Sequence, residues 1–374
     1  MSAPPADRSS SARPSDRAEA LPGVSVILPV RDEEKHLAAA VGQVLAQDYA
    51  GPYEVVVAVG PSADRTREIA DALAASDPRV TVVDNPTGRT PAALNAAIAV
   101  ARHDVLVRVD GHSEIDDDYV TRAVDVLRTT GAANVGGRML PVGVTPFEQA
   151  VARAMSSRLG IGSERFHTGG RAGPAATVYL GVFRRDALEG VGGFDESYLR
   201  AQDWELNHRL RASGETVWFD PTLGVTYRPR GSWRALARQF HRTGQWRRHV
   251  VRTYPETASP RYLAPPLAVV GVVAGAVIAL VGAATGARVA LVAGTLPLGY
   301  AAAVGIGSVP VGRGASWRTR GWLPLVIGTM HMAWGTGFLR GVSGEDARVA
   351  SAGHYPGSAR APGERTPTRP ATED

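Results

Sequence analysis

The stretch from Val105 to His112, VLVRVDGH, is an apolar run with one interruption, and it ends abruptly in Asp110-Gly111-His112. Apolar, β-branched runs predict a buried strand, and the glycine-bearing break predicts where that strand ends. Such a strand would deliver a carboxylate and an imidazole to the edge of a sheet, where open α/β folds bind ligands. Two side chains of this kind can hold one divalent cation, which can in turn hold a diphosphate. A strand that simply ends in a polar turn is the alternative.

Alternating strands and helices surround this stretch. Apolar runs predict four strands: Val24–Val30, Tyr53–Val59, Val80–Val83 and Val105–Val109. The segments between them have the apolar spacing of helices: 33–46, 66–75 and 91–101. Strands that alternate with helices imply a parallel sheet with helices on both faces. The expected fold class is therefore α/β, with a Rossmann-like domain.

The composition limits the class of protein. At 374 residues the chain exceeds the usual size of one domain, so two units are expected. Because the chain has no cysteine, disulfides and thiolate metal sites are excluded. The net charge is only +5, but the segment from Arg228 to Arg261 contains nine arginines and a single acid, Glu256.

Three windows without charge follow this basic segment, and they are bounded by arginines: 261 to 288, 288 to 313, and 320 to 340. Each window is long enough to cross a bilayer core of about 30 Å as a helix, which needs roughly 20 residues. A charge at the bilayer centre costs at least a few kcal/mol, so the windows predict three transmembrane helices within 263–342. A buried helical hairpin in a soluble domain is the alternative. The third window contains Pro324 and His331, so a re-entrant segment stays open there.

The basic loops predict the orientation in the membrane. Arg313, Arg318 and Arg320 lie between the second and third windows, and the segment before the first window is also basic. Positive loops stay cytoplasmic. The N-terminal domain is therefore expected on the cytoplasmic side of the inner membrane, as part of a multi-pass protein with its tail outside.

These patterns divide the chain into five segments. Residues 1–22 and 343–374 are polar and are expected to be disordered. Residues 23–230 form the α/β domain, and residues 231–262 precede the membrane helices. Within that short segment, SWRALARQFHRTGQWRRHVV interleaves aromatic residues with arginine. This pattern predicts a helix lying in the membrane interface, with an ordinary solvated helix as the alternative.

Polar residues follow the other predicted strands. Arg31-Asp32-Glu33-Glu34 comes directly after the first strand, where a nucleotide base or ribose would sit, although Asp32 is also suited to cap the next helix. Arg89 lies in the loop before a helix start and suits a diphosphate, with a surface arginine as the alternative. Ser62 and Asp64 follow the second strand and are expected to cap the helix there.

A second pair of carboxylates opens a later helix. Asp203 and Glu205 lie within RAQDWELN, which follows a glycine-rich turn at 192–196. The helix dipole favours a carboxylate at this position and holds it in place. A fixed carboxylate opposite a metal-bound diphosphate is well placed to take a proton from an attacking hydroxyl.

Together these segments resemble the GT-A glycosyltransferases of family 2. The resemblance runs from about residue 23 to residue 262 and rests on a series of matching stretches: VSVILPVRDEE, Ser62-x-Asp64-x-Thr66, Asn85-Pro-x-Gly88, Ala93-Leu94-Asn95, Asp110-x-His112, GGFDE and Gln202-Asp203-x-Glu205. A later set resembles membrane enzymes of the succinoglycan-biosynthesis type: AANVGGRM, TVYLGVFRRDAL, QDWELNHRLR and RQFHRTGQWR. Those enzymes carry C-terminal transmembrane helices and extend lipid-linked saccharides.

The resemblance implies roles for individual residues. Asp203 would be the catalytic base of an inverting, single-displacement transfer, and Asp110 and His112 would bind the cation. The nucleotide-sugar donor would be bound by the residues Pro29, Arg31, Glu33, Arg89 and Asp110. The acceptor or the diphosphate would be contacted by Gln202, Glu205, Arg242 and Trp246. Related synthases have a Gln-x-x-Arg-Trp motif near this point, and Gln239, Arg242 and Trp246 do not together reproduce its spacing.

Two departures from the family pattern affect the expected ligands. Many relatives have paired aspartates at the end of the second strand, where this chain has Val59 and Gly60, so base recognition must rest on other groups. A UDP-sugar is the expected donor. His112 replaces a carboxylate, and because imidazole suits Mn²⁺ better than Mg²⁺, a preference for Mn²⁺ is expected. The other expected partners are a polyprenyl-linked or polysaccharide acceptor and membrane lipid, with no nucleic acid.

Two other classes of protein match the sequence less well. An NAD-dependent oxidoreductase needs a Gly-x-Gly-x-x-Gly turn after the first strand, and the turn Pro29-Val30-Arg31-Asp32-Glu33 has no glycine. A catalytically degenerate membrane scaffold or sugar-nucleotide-binding protein gains some support from Val59-Gly60. The presence of Asp110, His112 and Asp203 argues against it.

Overall fold

The structure is a computed structural model, and it describes residues 20–162 and 164–352. Its strands are β1 (Val24–Val30), β2 (Tyr53–Val59), β3 (Val80–Asp84), β4 (Val105–Arg108), β5 (Glu114–Ile115), β6 (Asn134–Pro141), β7 (Gly173–Pro174), β8 (Tyr179–Arg184) and β9 (Val217–Tyr227). Its α-helices are α1 (Leu37–Leu45), α2 (Thr66–Ser76), α3 (Thr90–Val100), α4 (Tyr119–Thr130), α5 (Pro146–Met155), α6 (Arg158–Ile161), α7 (Arg165–Thr168), α8 (Arg185–Gly190), α9 (Gln202–Ala212), α10 (Trp233–Thr253), α11 (Pro260–Thr285), α12 (Thr295–Val311), α13 (Trp317–Arg340) and α14 (Glu345–Ala352). Two segments are 3-10 helices, Pro255–Thr257 and Arg288–Gly294.

The strands form one mixed sheet in the order β3-β2-β1-β4-β8-β6-β9-β5, with β7 beside β9. The four predicted strands are present, β1 and β2 with the predicted bounds, and they pair in parallel. The expectation of a wholly parallel sheet is wrong beyond β4, because β8 runs antiparallel to both β4 and β6. The simple alternation of one strand with one helix stops at β4. Because β8 is antiparallel to β4, it begins at the end of the sheet where β4 ends.

Helices cover both faces of the sheet. Along β1, Val26 and Leu28 belong to one core cluster and Ile27 to the other, because successive side chains of a strand point to opposite faces. Helices α1, α2 and α4 contribute to the first cluster, and α3, α8 and α9 contribute to the second. Burial on both faces explains why these strands are nearly continuous apolar runs. The parallel strands β1, β2 and β4 end at the same edge, so the loops that follow them meet there.

Two C-terminal stretches are long and apolar enough to cross a membrane: α11, and the span Arg288–Val311 that includes α12. Only 17% and 6% of their most apolar windows are buried. A hairpin in the core of a soluble domain would be covered by protein on most sides, and these helices are not. Their exposure suggests association with a membrane.

The third predicted crossing falls on α13, which is not one of these two candidate spans among the described residues. Its glycine, tryptophan and threonine residues and His331 make it less apolar than the other two. Leu323, Val326 and Ile327 of α13 also pack in one cluster with Phe147 of α5. Helix α13 therefore lies against the α/β domain, and the structure gives no support for a third crossing.

Helices α10 and α13 cross in backbone contact. A methyl group at Gly244 of α10 would overlap the carbonyl oxygen of Trp334, and one at Gly337 of α13 would overlap that of His241. This contact occupies the apolar face of α10, on which Phe240 is buried. The predicted interfacial helix is present, but this face is covered by protein and is not available to lipid.

The start of the C-terminal tail is ordered, which corrects an expectation. Residues 343–374 were expected to be disordered and outside the membrane, yet α14 forms within them, and Ala350 packs in a buried cluster with Tyr198 and Trp204 of the α/β domain. Covering these apolar side chains stabilises the contact. Part of this segment therefore packs against the α/β domain. The remaining parts expected to be disordered, 1–19 and 353–374, lie outside the described residues.

Candidate active site

A buried arginine joins two acidic residues predicted for the site. Arg108, the last residue of β4, is only 4% exposed. Its Nε donates to Oδ1 of Asp110 over 3.0 Å, and its Nη1 donates to Oδ1 of Asp203. The end of β4 and the start of α9 therefore meet, as the sequence predicts. The chemical roles of Asp110 and Asp203 remain predictions.

A strained residue and a buried amide network hold α9 in place. Ala201, two residues before Asp203, has a φ of 60°, a left-handed conformation that costs an L-residue about 1 kcal/mol. Asn134 donates to Oδ1 of Asn207 over 2.6 Å, and Asn207 donates to Oγ1 of Thr177 over 2.9 Å. These contacts fix the register of α9, so its first turn stays at the end of β4.

Asp203 is partly open to solvent, and its side chain is 32% exposed. Burial raises its pKa, the positive charge of Arg108 opposes this rise, and the negative charge of Asp110 adds to it. The net shift of the Asp203 pKa is upward. A carboxylate with a raised pKa is a better proton acceptor near neutral pH.

His112 pairs with Glu33, a residue predicted to bind the donor. Oε1 of Glu33 lies 2.8 Å from Nδ1 of His112. This hydrogen bond raises the pKa of His112, burial opposes the rise, and the charge of Asp110 adds to it. By holding Nδ1, Glu33 orients the imidazole and leaves Nε2 for another ligand. The carboxylate and imidazole predicted from VLVRVDGH thus share one corner of the site.

Asp110 and His112 are the protein ligands that the sequence predicts for a divalent cation, and this role stays a prediction. Within the described residues, no group of three His, Cys, Asp or Glu side chains is arranged to hold an ion by itself. One carboxylate and one imidazole therefore suit a cation that takes its other ligands from phosphate oxygens and water. Glu33 would support such an ion through the imidazole without contacting it.

The residues predicted for the donor lie around the loops after β1, β2 and β3. Pro29 of β1 pairs in register with Ala58 of β2. Nη1 of Arg31 lies 3.1 Å from the position that a methyl group would take on Gly88, whose φ of 66° favours glycine. Arg89 directly precedes α3, and its side chain has no hydrogen bond or ion pair within the described residues. It is therefore free to bind a phosphate at the start of that helix.

Backbone hydrogen bonds join the loop after β1 to the loop after β2. Asp64 accepts from the backbone N–H of Thr66, the first residue of α2, and from that of Glu34, but the N-cap residue of α2 is Arg65. Ser62 does not cap α2, and its hydroxyl accepts from the backbone N–H of Asp32. Asp32 does not cap α1, which begins later than predicted, at Leu37. It accepts instead from the backbone N–H of Ala63 over 2.8 Å.

Glu205 does not reach the acceptor side, which corrects its predicted role. Its side chain is fully buried, and both of its oxygens accept from Arg209, over 2.6 and 2.7 Å. The hydroxyl of Tyr254 also donates to Glu205, over 2.9 Å. Arg209 in turn donates to the backbone oxygen of Gly193 in the glycine-rich turn. With its oxygens engaged, Glu205 anchors α9.

Trp246 is also in the wrong place to contact a substrate. It is 1% exposed, and its ring centroid lies 6.0 Å from that of Tyr198. Buried packing between α10 and the segment before α9 therefore explains this tryptophan. Arg242, one turn earlier on α10, is exposed, and Gln202 begins α9 beside Asp203. Both remain candidates for the acceptor side.

The sequence-based site did not include Arg108 or Tyr179. Burial raises the pKa of the Tyr179 hydroxyl, and the charge of Asp110 raises it further, so this tyrosine stays neutral in the site. Arg108 had a visible signal, because it is the one charged residue inside the apolar run VLVRV. An arginine on a buried strand needs an anionic partner, so the sequence indicated that a carboxylate would lie beside Arg108.

Comparison with known proteins identifies the class. The family model for glycosyl transferase family 2 matches residues 25–192. The chain is 33% identical over 328 residues to the succinoglycan biosynthesis protein ExoA of Rhizobium meliloti, covering 87% of this chain and 96% of that protein. The chain therefore belongs to the family 2 glycosyltransferases, and it is similar to ExoA over nearly its whole length. This membership supports an enzyme over the alternative of an inactive scaffold.

The chain is similar to two solved structures, and the first of them shows the fold. The mannosyltransferase PcManGT of Pyrobaculum calidifontis, in complex with GDP-Man and Mn²⁺, aligns with a TM-score of 0.52 and 20% identity over 84% of this chain and 88% of that chain. S. aureus TarS aligns with a TM-score of 0.44 and 17% identity, over 59% of this chain and 39% of that one. The GT-A fold is thus shown, and GT-A glycosyltransferases commonly use a divalent cation.

Proposed function

We propose that this enzyme moves a sugar from a nucleotide-sugar donor, with UDP as the expected nucleotide, to a lipid-linked or polysaccharide acceptor with inversion of configuration. The observation that carries the proposal is the bridge from Arg108 to Asp110 and Asp203. It sets a proton acceptor beside the pair of residues suited to a donor diphosphate. The similarity to ExoA along nearly the whole chain supports the class of acceptor.

The reaction is a single displacement. The acceptor hydroxyl attacks the anomeric carbon on the face opposite the nucleoside diphosphate, and Asp203 takes the hydroxyl proton. The bond from the anomeric carbon to the diphosphate oxygen breaks, and its electron pair leaves with the diphosphate. The upward shift in the pKa of Asp203 favours this proton transfer.

The leaving group carries most of the developing negative charge. A divalent cation held by Asp110 and His112 would supply positive charge at the leaving diphosphate, and Mn²⁺ suits the imidazole better than Mg²⁺. Arg89, at the start of α3, would donate hydrogen bonds to the same phosphates. Arg31 lies near Gly88 and would face the nucleoside end. Arg108 neutralises Asp110 and Asp203 in part, so both carboxylates can stay close together.

We place the enzyme at the cytoplasmic face of the inner membrane. Two candidate spans, α11 and Arg288–Val311, would return the chain to the side on which it entered. The packing of α14 on the α/β domain agrees with an even number of crossings. Arg313, Arg318 and Arg320 follow the second span and favour the cytoplasmic side.

Membranes that contain the full chain can test the proposal. They are incubated with Mn²⁺ and radiolabelled UDP- and GDP-sugars, and the lipid and polymer fractions are then extracted. We expect label from one donor in one of these fractions, lost in Asp203→Asn while UDP binding is retained. Asp186→Asn, a change at an exposed carboxylate of the same domain, is the matched control. Substantial transfer by Asp203→Asn removes that residue as the base, and no transfer from any donor by the wild type contradicts the function.

A further inference from the structure

Three arginines that the catalytic steps do not use converge beside α9: Arg200, Arg230 and Arg242. Arg200 stands two residues after Tyr198, whose ring packs 6.0 Å from that of Trp246 on α10. Arg242 lies one turn before Trp246, so it shares that face of α10. This packing sets the segment that ends in Arg200 against the helix that carries Arg242, and the positive charge of Arg242 acts on Arg200.

The third arginine reaches the same face of α10 from the end of β9. Nε of Arg230 donates to Oε1 of Gln239 over 3.3 Å, and Gln239 lies one turn before Arg242. Gln239 itself donates to the hydroxyl of Tyr227, the last residue of β9, over 3.0 Å. Arg230 and Arg200 thus approach Arg242 from two sides.

None of the three guanidinium groups forms an ion pair with a carboxylate within the described part of the chain. Burial lowers the pKa of Arg200, and the positive charges of Arg242 and then Arg230 lower it further. Asp346 of α14 opposes this, as does Tyr227. Such a concentration of positive charge is costly unless an anion occupies it.

The cluster lies where the α/β domain meets the apolar helices. Arg242 stands between His241 and Gly244, two of the positions at which α10 contacts α13. The chain then enters α11, a candidate span, at Pro260. An anion bound by the cluster would therefore sit beside Asp203 on one side and near the lipid surface on the other.

We propose that Arg200, Arg230 and Arg242 bind the phosphate or diphosphate that joins an acceptor saccharide to its lipid carrier. This inference rests on the proposed function and assigns the lipid-linked class of acceptor. Guanidinium groups suit phosphate because their donors can bind two oxygens at once. The donor diphosphate is a different anion, assigned above to Asp110, His112 and Arg89. The charges that act most on Arg200 belong to the cluster and to α14.

Farnesyl diphosphate, a short lipid diphosphate, is the probe. Its binding to the detergent-solubilised full chain is measured by microscale thermophoresis with UDP and Mn²⁺ at saturating concentration, so the donor site is filled. We expect binding that inorganic pyrophosphate competes for and that farnesol does not. Arg200→Gln and Arg242→Gln should each weaken it about tenfold, and Arg200→Lys, which keeps the charge, should weaken it less. Arg252→Gln, at an exposed arginine of α10, is the matched control and should bind normally.

Three results overturn the inference. Displacement of the probe by UDP assigns the arginines to the donor diphosphate, an equal loss in Arg252→Gln shows unspecific attraction, and competition by farnesol shows that only the apolar tail is bound. UDP binding and sugar transfer are measured on the same preparations. If UDP binding and sugar transfer persist while the probe fails to bind, only this inference is wrong. If they too are absent, the proposed function falls with it. Melting temperatures within a few degrees of the wild type confirm that each variant is folded.

Discussion

Nη1 of Arg108 donates a hydrogen bond to Oδ1 of Asp203, a residue 95 positions further along the chain. Through this contact the end of a central strand and the first turn of α9 form one charged unit. Asp110 completes it from the other side, 3.0 Å from Nε of Arg108. The arginine is buried, so the unit depends on all three charges being present together.

Replacing Arg108 by methionine should therefore abolish sugar transfer and lower the free energy of unfolding by about 3 kcal/mol or more, because two neighbouring carboxylates lose their shared cation. Thermal melting of the solubilised enzyme measures the loss. In the double variant Arg108→Met/Asp203→Asn, removal of one carboxylate should restore part of the stability. If the loss of stability in the double variant equals the sum of the losses in Arg108→Met and Asp203→Asn, the contact between the two residues does not contribute to stability.

The preference for a cation should follow the chemistry of position 112. The wild-type enzyme is expected to transfer sugar faster with Mn²⁺ than with Mg²⁺ at matched concentrations, and His112→Asp should move the preference toward Mg²⁺, which favours oxygen ligands. Initial rates of transfer measure both. Equal or better turnover of the wild type with Mg²⁺ contradicts the prediction.

Glu205→Gln should destabilise the enzyme without changing the KM for the acceptor. The change removes one partner of a buried ion pair, for which a loss of about 3 kcal/mol is expected. Glu189→Gln breaks an ion pair of the same helical spacing, to Arg185, but Glu189 is 58% exposed, so the loss there should stay below about 1 kcal/mol. Melting temperatures and acceptor titrations separate the two effects. A raised acceptor KM at unchanged stability would return Glu205 to the acceptor side.

The stability of the α/β domain should fall in acid through Glu54. This carboxylate is buried, and although burial raises its pKa, the hydrogen bonds from Ser25 and Arg102 outweigh that effect and the net shift is downward. A lowered pKa contributes stability above the ordinary value of 4.5, and this contribution is lost as the pH falls below it.

Glu54→Gln should therefore lower the free energy of unfolding at pH 7 by about 1.5–3 kcal/mol, which appears as a lower melting temperature. The decline of the melting temperature between about pH 5 and pH 3 should be flatter than in the wild type. Glu68→Gln, at an exposed glutamate of α2, serves as the control and should leave the profile unchanged. An acid decline as steep in Glu54→Gln as in the wild type would place the responsible group elsewhere.

Local patterns were sufficient for the first half of the fold. The bounds of β1 and β2 follow from apolar runs that are buried on both faces, and such runs are visible without knowledge of their partners. The direction of β8 could not be predicted in this way, because it depends on the end of the sheet at which the preceding segment delivers the chain. The packing of α14 likewise depends on an apolar surface built by distant segments.

The location of Asp110, His112 and Asp203 was predictable, because one strand end or helix start delivers each side chain. Their chemical roles stay predictions. Glu205 and Trp246 were misassigned because membership of a motif does not reveal which side chains point inward. The spacing of Glu205 and Arg209, four residues apart on one helix, was nevertheless a sign of an ion pair. The bridge made by Arg108 spans 95 positions, and no local pattern reports a contact of that range.

The two glycine contacts fix α10 on α13, and Gly335 brings α13 into backbone contact with Pro265 of α11, the first candidate span. Asp203 would then stay at one height above the bilayer, and it would meet only those hydroxyl groups that a carrier presents at that height. A saccharide one unit too short or too long would hold its reactive end below or above the base.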